Sequence, residues 1–138
     1  MVEISKSTGL AWTTLSVDSS VPTLTDIRND VTNFEFATPR AVQEVTGIDK
    51  FAMERLLLLA DFSITLNGVF NDAASASHVT FKDVASTSVS RTVSLAVSGQ
   101  TLTNECLITD YQMTRGDDGS LVWQAPGVLQ SGTAPTWS

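Results

Sequence analysis

The feature that most constrains the fold is the alternation of apolar and polar residues through the C-terminal third of the chain. Four apolar side chains fall on one side of an extended segment and four hydroxyl side chains on the other: Val89, Val93, Leu95 and Val97 against Ser90, Thr92, Ser94 and Ser98. The pattern resumes with Leu102, Cys106 and Ile108 against Thr103, Glu105 and Thr109. Since a period of two places successive side chains on opposite faces, both segments are predicted to be strands with one buried face.

Turn signals join these strands into a meander. Gly99-Gln100 predicts the first hairpin turn, and Arg115–Gly119, which ends in Asp118-Gly119, predicts the second. Ser120–Gln124 is then the next strand, with its leucine and its tryptophan on one face. We therefore expect antiparallel pairing throughout this third of the chain.

Further strands are predicted in the N-terminal half. Leu10–Val17 places Leu15 and Val17 on one face, and Asp30–Thr38 places its two phenylalanines on one face. Each pattern is typical of a half-buried strand.

The most apolar stretch is Arg55–Leu66. Its first half carries leucines on both faces and is predicted to be buried on both, whereas its second half alternates and is predicted to be buried on one. A helix over Ala52–Leu56 is an alternative for the beginning of this stretch. Asn67-Gly68 then predicts a turn.

One helix is expected at Asn71–Asp83. Asn71 or Asp72 could cap its first turn, and three alanines favour the helical conformation. The end of the segment, Val79–Phe81, would also suit a strand.

Length and composition fit one β-rich domain over residues 1–138. Ser and Thr account for 34 of the 138 residues, which favours strands and turns over helices. Three segments are poor in large apolar residues and are expected to be flexible: an N-terminal arm (1–9), a long loop or projecting hairpin (38–51) and a C-terminal tail (131–138).

The charge balance argues against a nucleic-acid-binding surface. The formal net charge is −7, and the 8 basic residues are scattered along the chain. We expect no secretory signal at the N-terminus and no membrane span, because the longest apolar run, Leu56–Ala60, is far too short.

No residue pattern predicts catalysis, a cofactor or a metal. His78 lacks a nucleophile motif and partner cysteines, and Cys106 lies on an apolar strand face. Asp117 and Asp118 belong to the predicted turn, where their backbone preferences explain them. Arg115-Gly116-Asp117 matches a tripeptide that integrins bind, although three residues match often by chance. We therefore assign no catalytic residue and expect a protein that is not an enzyme.

The tryptophans suggest two different roles. Trp123 lies in a predicted strand and is expected in the core. Trp137 lies in the tail and is a candidate assembly contact with a neighbouring subunit, because aromatic residues are enriched at interfaces. The alternative is a tail that folds back on its own domain.

Two blocks of the chain resemble the major tail tube proteins of long-tailed (siphovirus) bacteriophages. These are Glu54–Asn71, and Leu107–Leu129 followed by Gly132–Trp137, which together cover about half the chain. The resemblance implies a mainly β fold: a β-sandwich or half-barrel of antiparallel strands flanked by one α-helix, with a long loop or hairpin and flexible termini.

The resemblance also implies a function. Such proteins form hexameric rings that stack around a tape-measure protein into the tail tube of the virion, between a tail terminator and a baseplate. They are assembled in the host cytoplasm, and DNA passes through the tube without specific binding. The resemblance carries no catalytic or cofactor residues and no membrane contact.

On that interpretation, the acidic excess suggests a lumen wall that repels DNA. Asp61, Glu105 and Asp110 lie on or near the polar strand faces and are candidate lumen-facing acids, although such acids also keep a protein soluble. Three alternatives stay open: a non-enzymatic β-sandwich binding or adhesion module, another tail component such as a terminator or baseplate protein, and a hydrolase that uses two carboxylates.

Overall fold

The computed structural model describes residues 6–21 and 23–138; Met1–Ser5, most of the expected N-terminal arm, and Pro22 lie outside it. A 3-10 turn at Gly9–Ala11 is followed by strands and one short helix. In chain order these are β1 (Trp12–Asp18), β2 (Leu24–Asp26), β3 (Val31–Ala37), β4 (Arg40–Glu44), β5 (Arg55–Ala60), β6 (Ser63–Val69), α1 (Ser77–Phe81), β7 (Arg91–Val97), β8 (Gln100–Ile108), β9 (Gln112–Arg115) and β10 (Leu121–Leu129).

Eight strands form one antiparallel sheet, and the other two form a separate hairpin. The sheet runs β2-β1-β7-β8-β10-β6-β3, with β9 on the remaining half of β10; β4 pairs with β5. No strand pairing among the described residues joins β3 to β1, so the sheet is open. It nevertheless curls until the Trp12 and Phe34 rings stand 4.9 Å apart, edge to face. The expected mainly β fold of antiparallel strands with one helix is confirmed, and of the two expected forms, β-sandwich or half-barrel, the single open and curled sheet corresponds to the half-barrel.

The apolar residues of the alternating patterns lie on the concave face of this sheet and form the core. Leu15 and Val17 of β1 are buried, and Phe34 and Phe36 of β3 pack on the same core. The C-terminal strands contribute the residues that the sequence indicated: Val93, Leu95, Leu102, Cys106, Ile108 and Trp123. Polar partners at the intervening positions face outward, as a period of two requires.

The two C-terminal turns also form where the sequence indicated, with small shifts. Ser98 and Gly99 both adopt positive φ between β7 and β8, so the first turn begins one residue early. Gly119, at φ 90°, closes the second turn. The short β9 pairs with the first half of β10, and β8 pairs with its second half.

The expected turn at Asn67-Gly68 is wrong, because both residues lie inside β6. Gly68 is present for a different reason: a Cβ there would lie 2.2 Å from the Asp30 carbonyl oxygen and 2.7 Å from the Trp123 ring. The glycine lets β3, β6 and the Trp123 ring approach one another, which is a packing requirement that a turn motif cannot reveal.

The expected helix at Asn71–Asp83 is much shorter than predicted. α1 spans Ser77–Phe81, and neither Asn71 nor Asp72 caps it. The Asn71 side chain instead accepts a bond from the Ala73 amide (3.1 Å) in a local turn. The first helical amide, that of Ser77, donates to the buried carboxylate of Asp30 at 2.9 Å. The cap therefore comes from a residue 47 positions away.

A buried arginine links α1 to the sheet through hydrogen bonds and an ion pair. The Arg91 side chain, on the concave face of β7, donates to the carbonyls of Thr80 and Asp18 and pairs with the Asp83 carboxylate at 3.0 Å. Burial raises the pKa of Asp83, but hydrogen bonds from Ser20 and Arg91 and the Arg91 charge outweigh it, so that the pKa lies below its ordinary value. These bonds compensate for the cost of burying the guanidinium.

Candidate assembly surface

The strands β4 and β5 continue β3 and β6 beyond the end of the sheet. β3 pairs with β6 down to Ala37 opposite Ser63, and the Asp61 amide then donates to the Pro39 carbonyl at 2.9 Å. Pairing resumes with Arg40 opposite Ala60 and runs to Glu44 opposite Arg55. We call Arg40–Ala60 the projecting hairpin. Of the two expectations for residues 38–51, a loop or a hairpin, the structure shows the hairpin.

The expected burial of the leucines in β5 is wrong. Leu56, Leu57, Leu58 and Leu59 are 54%, 61%, 40% and 88% exposed, although the continuation in β6 is buried as predicted. The break comes at Asp61–Phe62, where the strand pair leaves the sheet and no longer borders the concave core that covers one face of β6. The apolar pattern is that of a strand buried on both faces, yet the described residues leave both faces of β5 exposed.

Both faces of the projecting hairpin are apolar. The register places Leu57 opposite Val42 on one face, whereas Leu56 lies opposite Gln43 on the other face together with Leu58. Val42 is 50% exposed. An exposed apolar surface with two such faces is typical of an interaction site and not of a monomer surface.

The tip of the hairpin is the most exposed apolar part of the described chain. Between the two strands, Ile48 and Phe51 are 108% and 107% exposed, so their side chains contact essentially nothing. Asp49 and Lys50 lie between them and form an exposed ion pair at 3.2 Å. Asp49 Oδ1 also lies against Gly47, where a Cβ would meet it at 2.8 Å. We call residues 45–54 the hairpin tip.

A groove lies at the opposite end of β3, where the sheet fails to close. It has a volume of about 670 Å³ and is lined by Gly9, Leu10, Trp12, Leu15, Arg28, Asn29, Val31, Thr32, Asn33 and Phe34. Leu10 is almost fully exposed on its rim. Arg28 bridges one wall, donating to the Trp12 carbonyl at 3.1 Å while pairing with Asp26 at 3.0 Å. We call this the seam groove.

The C-terminal tail folds back on its own domain and still leaves Trp137 partly exposed. Ser138 exchanges two backbone hydrogen bonds of 2.9 Å with Thr101 on the free edge of β8. The Trp137 ring stands 6.0 Å from Phe36 and remains 43% exposed. Trp137 therefore has an intrachain partner and an open face, and its assembly role stays a prediction.

The three candidate lumen acids do not form one cluster. Glu105 lies on the convex face of β8, where it accepts a bond from the Thr92 hydroxyl. The Glu105 carbonyl accepts a bond from the Gln130 amide at 3.0 Å, and the adjacent Leu129 amide donates to the Phe62 carbonyl. Asp61, which precedes Phe62, therefore lies at the same end of the sheet as Glu105. Asp110 lies beyond the other end of β8, where its carboxylate accepts from the Tyr111 amide.

The residues considered for catalysis or metal binding take part in packing and turn contacts. His78 lies between Phe70 and Tyr111, with Nδ1 3.2 Å from the tyrosine hydroxyl. Burial, and then the charge of Glu105, raises the pKa of Cys106 to about 12, so this thiol is unreactive. Hydrogen bonds from Ser120 lower the pKa of Asp118, which lies in the turn. No cluster of His, Cys, Asp or Glu within residues 6–21 and 23–138 could hold a metal ion.

Comparison with known proteins finds likeness in structure. A chain in the tail of an empty GTA particle, obtained by helical refinement with C6 symmetry, superposes with a TM-score of 0.72 at 15% identity; 96% of this chain and 99% of that one are covered. The chain has that fold. A chain in the virion of a native gene transfer agent (GTA) particle covers the same fractions at 15% identity with a TM-score of 0.67.

These likenesses support, at the level of the fold, the resemblance to tail tube proteins. No family model matches the chain, and no curated protein matches it significantly. In the part of the chain that the structure describes, no helix combines the length and the apolar character that crossing a bilayer requires.

Proposed function

We propose that this protein is the structural subunit of a phage-like tail tube. Its copies form hexameric rings, the rings stack into a tube, and DNA is delivered through the lumen. The observation that carries this proposal is the projecting hairpin, whose four consecutive leucines are exposed. The shared fold with a chain from a C6-symmetric tail supports it.

The hairpin favours self-association because none of the residues that the structure describes covers it. An isolated two-stranded hairpin is at best marginally stable in water. Burying one leucine side chain contributes roughly 1.5–3 kcal/mol, so covering several of them supplies enough free energy for a stable contact. A neighbouring copy in a ring or a stack is the occupant that the proposal requires, and such heterologous contacts close into rings.

On this proposal the protein is not an enzyme and acts by assembly alone. Its partners are other copies of itself, a tape-measure protein inside the tube, and terminator and baseplate proteins at the ends. It belongs to the tail of the virion and is assembled in the host cytoplasm.

The convex face of the sheet is the surface that suits a DNA lumen. Its strands present mainly hydroxyl and amide side chains, together with Glu35 and Glu105. In β1, β3, β6, β7, β8 and β10 the single basic residue is Arg91, which is buried on the concave side. A face without exposed bases does not neutralise phosphates, so DNA can slide along it.

Negative-stain microscopy of the purified protein tests the proposal. The wild-type chain should form rings or hollow tubes, and the double variant Leu57→Ser/Leu59→Ser should stay monomeric with an unchanged melting temperature. Leu107→Ser is the matched control, because Leu107 is a 41% exposed leucine on the convex face of the body. Wild-type protein that stays monomeric at high concentration would instead favour a binding or adhesion module.

The lumen assignment has its own test in assembled particles. Replacing Asp61 and Glu105 together by Lys should slow DNA ejection and make its rate more dependent on salt, because each new cation binds a phosphate. Asp110→Lys, at the other end of β8, reports whether its end of the sheet also faces the lumen. Normal tubes with unchanged ejection in all variants would show that the lumen lies elsewhere.

A further inference from the structure

The hairpin tip presents an apolar surface that no residue within 6–21 and 23–138 covers. Ile48 and Phe51 at the hairpin tip are fully exposed, and Met53 beside them is 50% exposed. Together these side chains present a compact apolar surface held at the end of a paired strand extension. Exposing it to water is unfavourable unless a partner covers it.

The chain also carries an open apolar recess that no described residue fills. Trp12, Val31 and Phe34 line the seam groove, and Leu10 forms its exposed rim. At about 670 Å³ the groove is large enough for two or three apolar side chains. The side chains that line it come from β1, β3 and the segments beside them, whose strands are not joined by hydrogen bonds.

The hairpin tip and the seam groove lie toward opposite ends of β3. The groove contacts β3 at Val31–Phe34, whereas the hairpin leaves β3 after Ala37. From Val31 to Glu44 the chain spans roughly 40 Å at the usual rise of a strand. The tip therefore points away from its own groove, and a contact between the two surfaces joins different copies head to tail.

We propose that the hairpin tip of one copy docks into the seam groove of a second copy. This inference rests on the proposed function and names the contact that joins successive subunits. Because the hairpin tip and the seam groove are different surfaces of one molecule, their contact is heterologous. Such a contact repeats from copy to copy and either closes into a ring or continues as a stack.

Each of the two surfaces has one basic and one acidic side chain beside it, so neither has a net charge that would repel the other. The groove carries Arg28 with Asp26 beside it, and the tip carries Asp49 with Lys50 beside it. All four side chains are at least 40% exposed, so each pair can exchange partners across the contact at little desolvation cost. Opposite signs facing each other favour the docked orientation and oppose the reverse one.

Disulfide trapping of the full chain tests the docking directly. The double variant Phe51→Cys/Leu10→Cys gives each copy one thiol at the tip and one at the groove rim. Mild oxidation, at protein concentrations high enough to offset the loss of the Phe51 and Leu10 side chains, should then give a ladder of dimers, trimers and longer chains on a non-reducing gel. Phe51→Cys/Leu121→Cys is the matched control, with its second thiol on an exposed leucine of β10 outside the groove, and should give no ladder. The native Cys106 is buried and does not interfere.

A second measurement keeps the inference separate from folding and from tube formation. Phe51→Ser should weaken self-association by about tenfold to a hundredfold, the equivalent of one buried aromatic side chain, while leaving the melting temperature unchanged. Leu10→Glu should do the same from the groove side.

The outcomes distinguish the docking from the proposed function. Tubes that form normally without a ladder in Phe51→Cys/Leu10→Cys would overturn the docking and leave the tube function standing. A ladder from a protein that never forms rings or tubes would support the docking and overturn the tube function. A thiol at position 10 that resists a small alkylating reagent in the monomer would assign the groove to another occupant and also overturn the docking.

Discussion

The body of the sheet and the projecting hairpin use similar strand sequences with opposite results. Leu95 and Leu102 face each other across β7 and β8 and are completely buried, because both side chains lie in the concave core of the curled sheet. Leu57 and Val42 face each other across β4 and β5 and are at least half exposed. The difference shows that apolar periodicity indicates which strand faces are buried in a contact, but not whether the contact lies within the chain or between chains. On the proposed function, a neighbouring copy covers the hairpin.

The largest expected difference between the two regions is in folding stability. Trp123→Ala removes a buried ring and its 2.8 Å hydrogen bond to the Val69 carbonyl, and should lower the free energy of unfolding by about 3–5 kcal/mol. Leu59→Ala removes an almost fully exposed side chain and should change it by less than about 0.5 kcal/mol. Urea denaturation of the monomer measures both. Similar losses in the two variants would show that the hairpin packs on the body in solution.

A smaller loss is expected where β6 approaches Trp123. Gly68→Ala forces a Cβ against the Asp30 carbonyl and the Trp123 ring, and should cost about 1–3 kcal/mol through displaced backbone and ring. Gly9→Ala, where a Cβ meets nothing within 4 Å, is the matched control and should be neutral. Equal melting temperatures for the two variants would contradict the tight approach.

The same comparison explains which sequence predictions succeed. The strands of the body follow from local alternation because each one is covered by the same concave core, so the period of two at Leu15 and Val17 or at Leu102 and Cys106 directly indicates the buried face. The expected place of Cys106 on an apolar strand face is confirmed, because its side chain is completely buried in the core.

The predictions that failed depend on distant residues or on other molecules. The length of α1 is set by Asp30, which caps it across 47 positions, and the placement of Arg91 follows from carbonyls of β1 and α1. Asn67-Gly68 has the sequence of a turn, and the residue that requires the glycine, Trp123, lies 55 positions away in the chain. No local pattern contains these contacts. The candidate assembly surface was missed because exposed leucines and buried leucines have the same periodicity.

Trp137 is intermediate between the two regions and should show an intermediate effect. Truncation after Gly132 removes the Thr101–Ser138 backbone pair and the half-exposed ring, and should lower the free energy of unfolding by about 1–2 kcal/mol. It should also reduce tube formation if the open face of the ring contacts a neighbour. Trp137→Ala separates the ring from the backbone bonds. A loss as large as that of Trp123→Ala would place Trp137 in the core.

The smallest expected effect concerns acid, and it contrasts two ion pairs. In the body, Asp83 pairs with a buried arginine and its pKa is lowered, so the unfolded chain binds the proton more tightly than the folded one. The stabilisation by Asp83 is therefore complete above its ordinary pKa of 3.8 and is lost as the pH falls through the lower pKa of the folded state. At the hairpin tip, Asp49 and Lys50 are exposed, and such a pair contributes almost nothing. Denaturant titrations between about pH 7 and pH 2 should show wild type more stable than Asp83→Asn at neutral pH, with a gap that narrows only below about pH 4. Asp49→Asn should track wild type throughout. A gap that persists unchanged at the lowest pH would mean that the charge of Asp83 does not matter and that its shape alone supports Arg91.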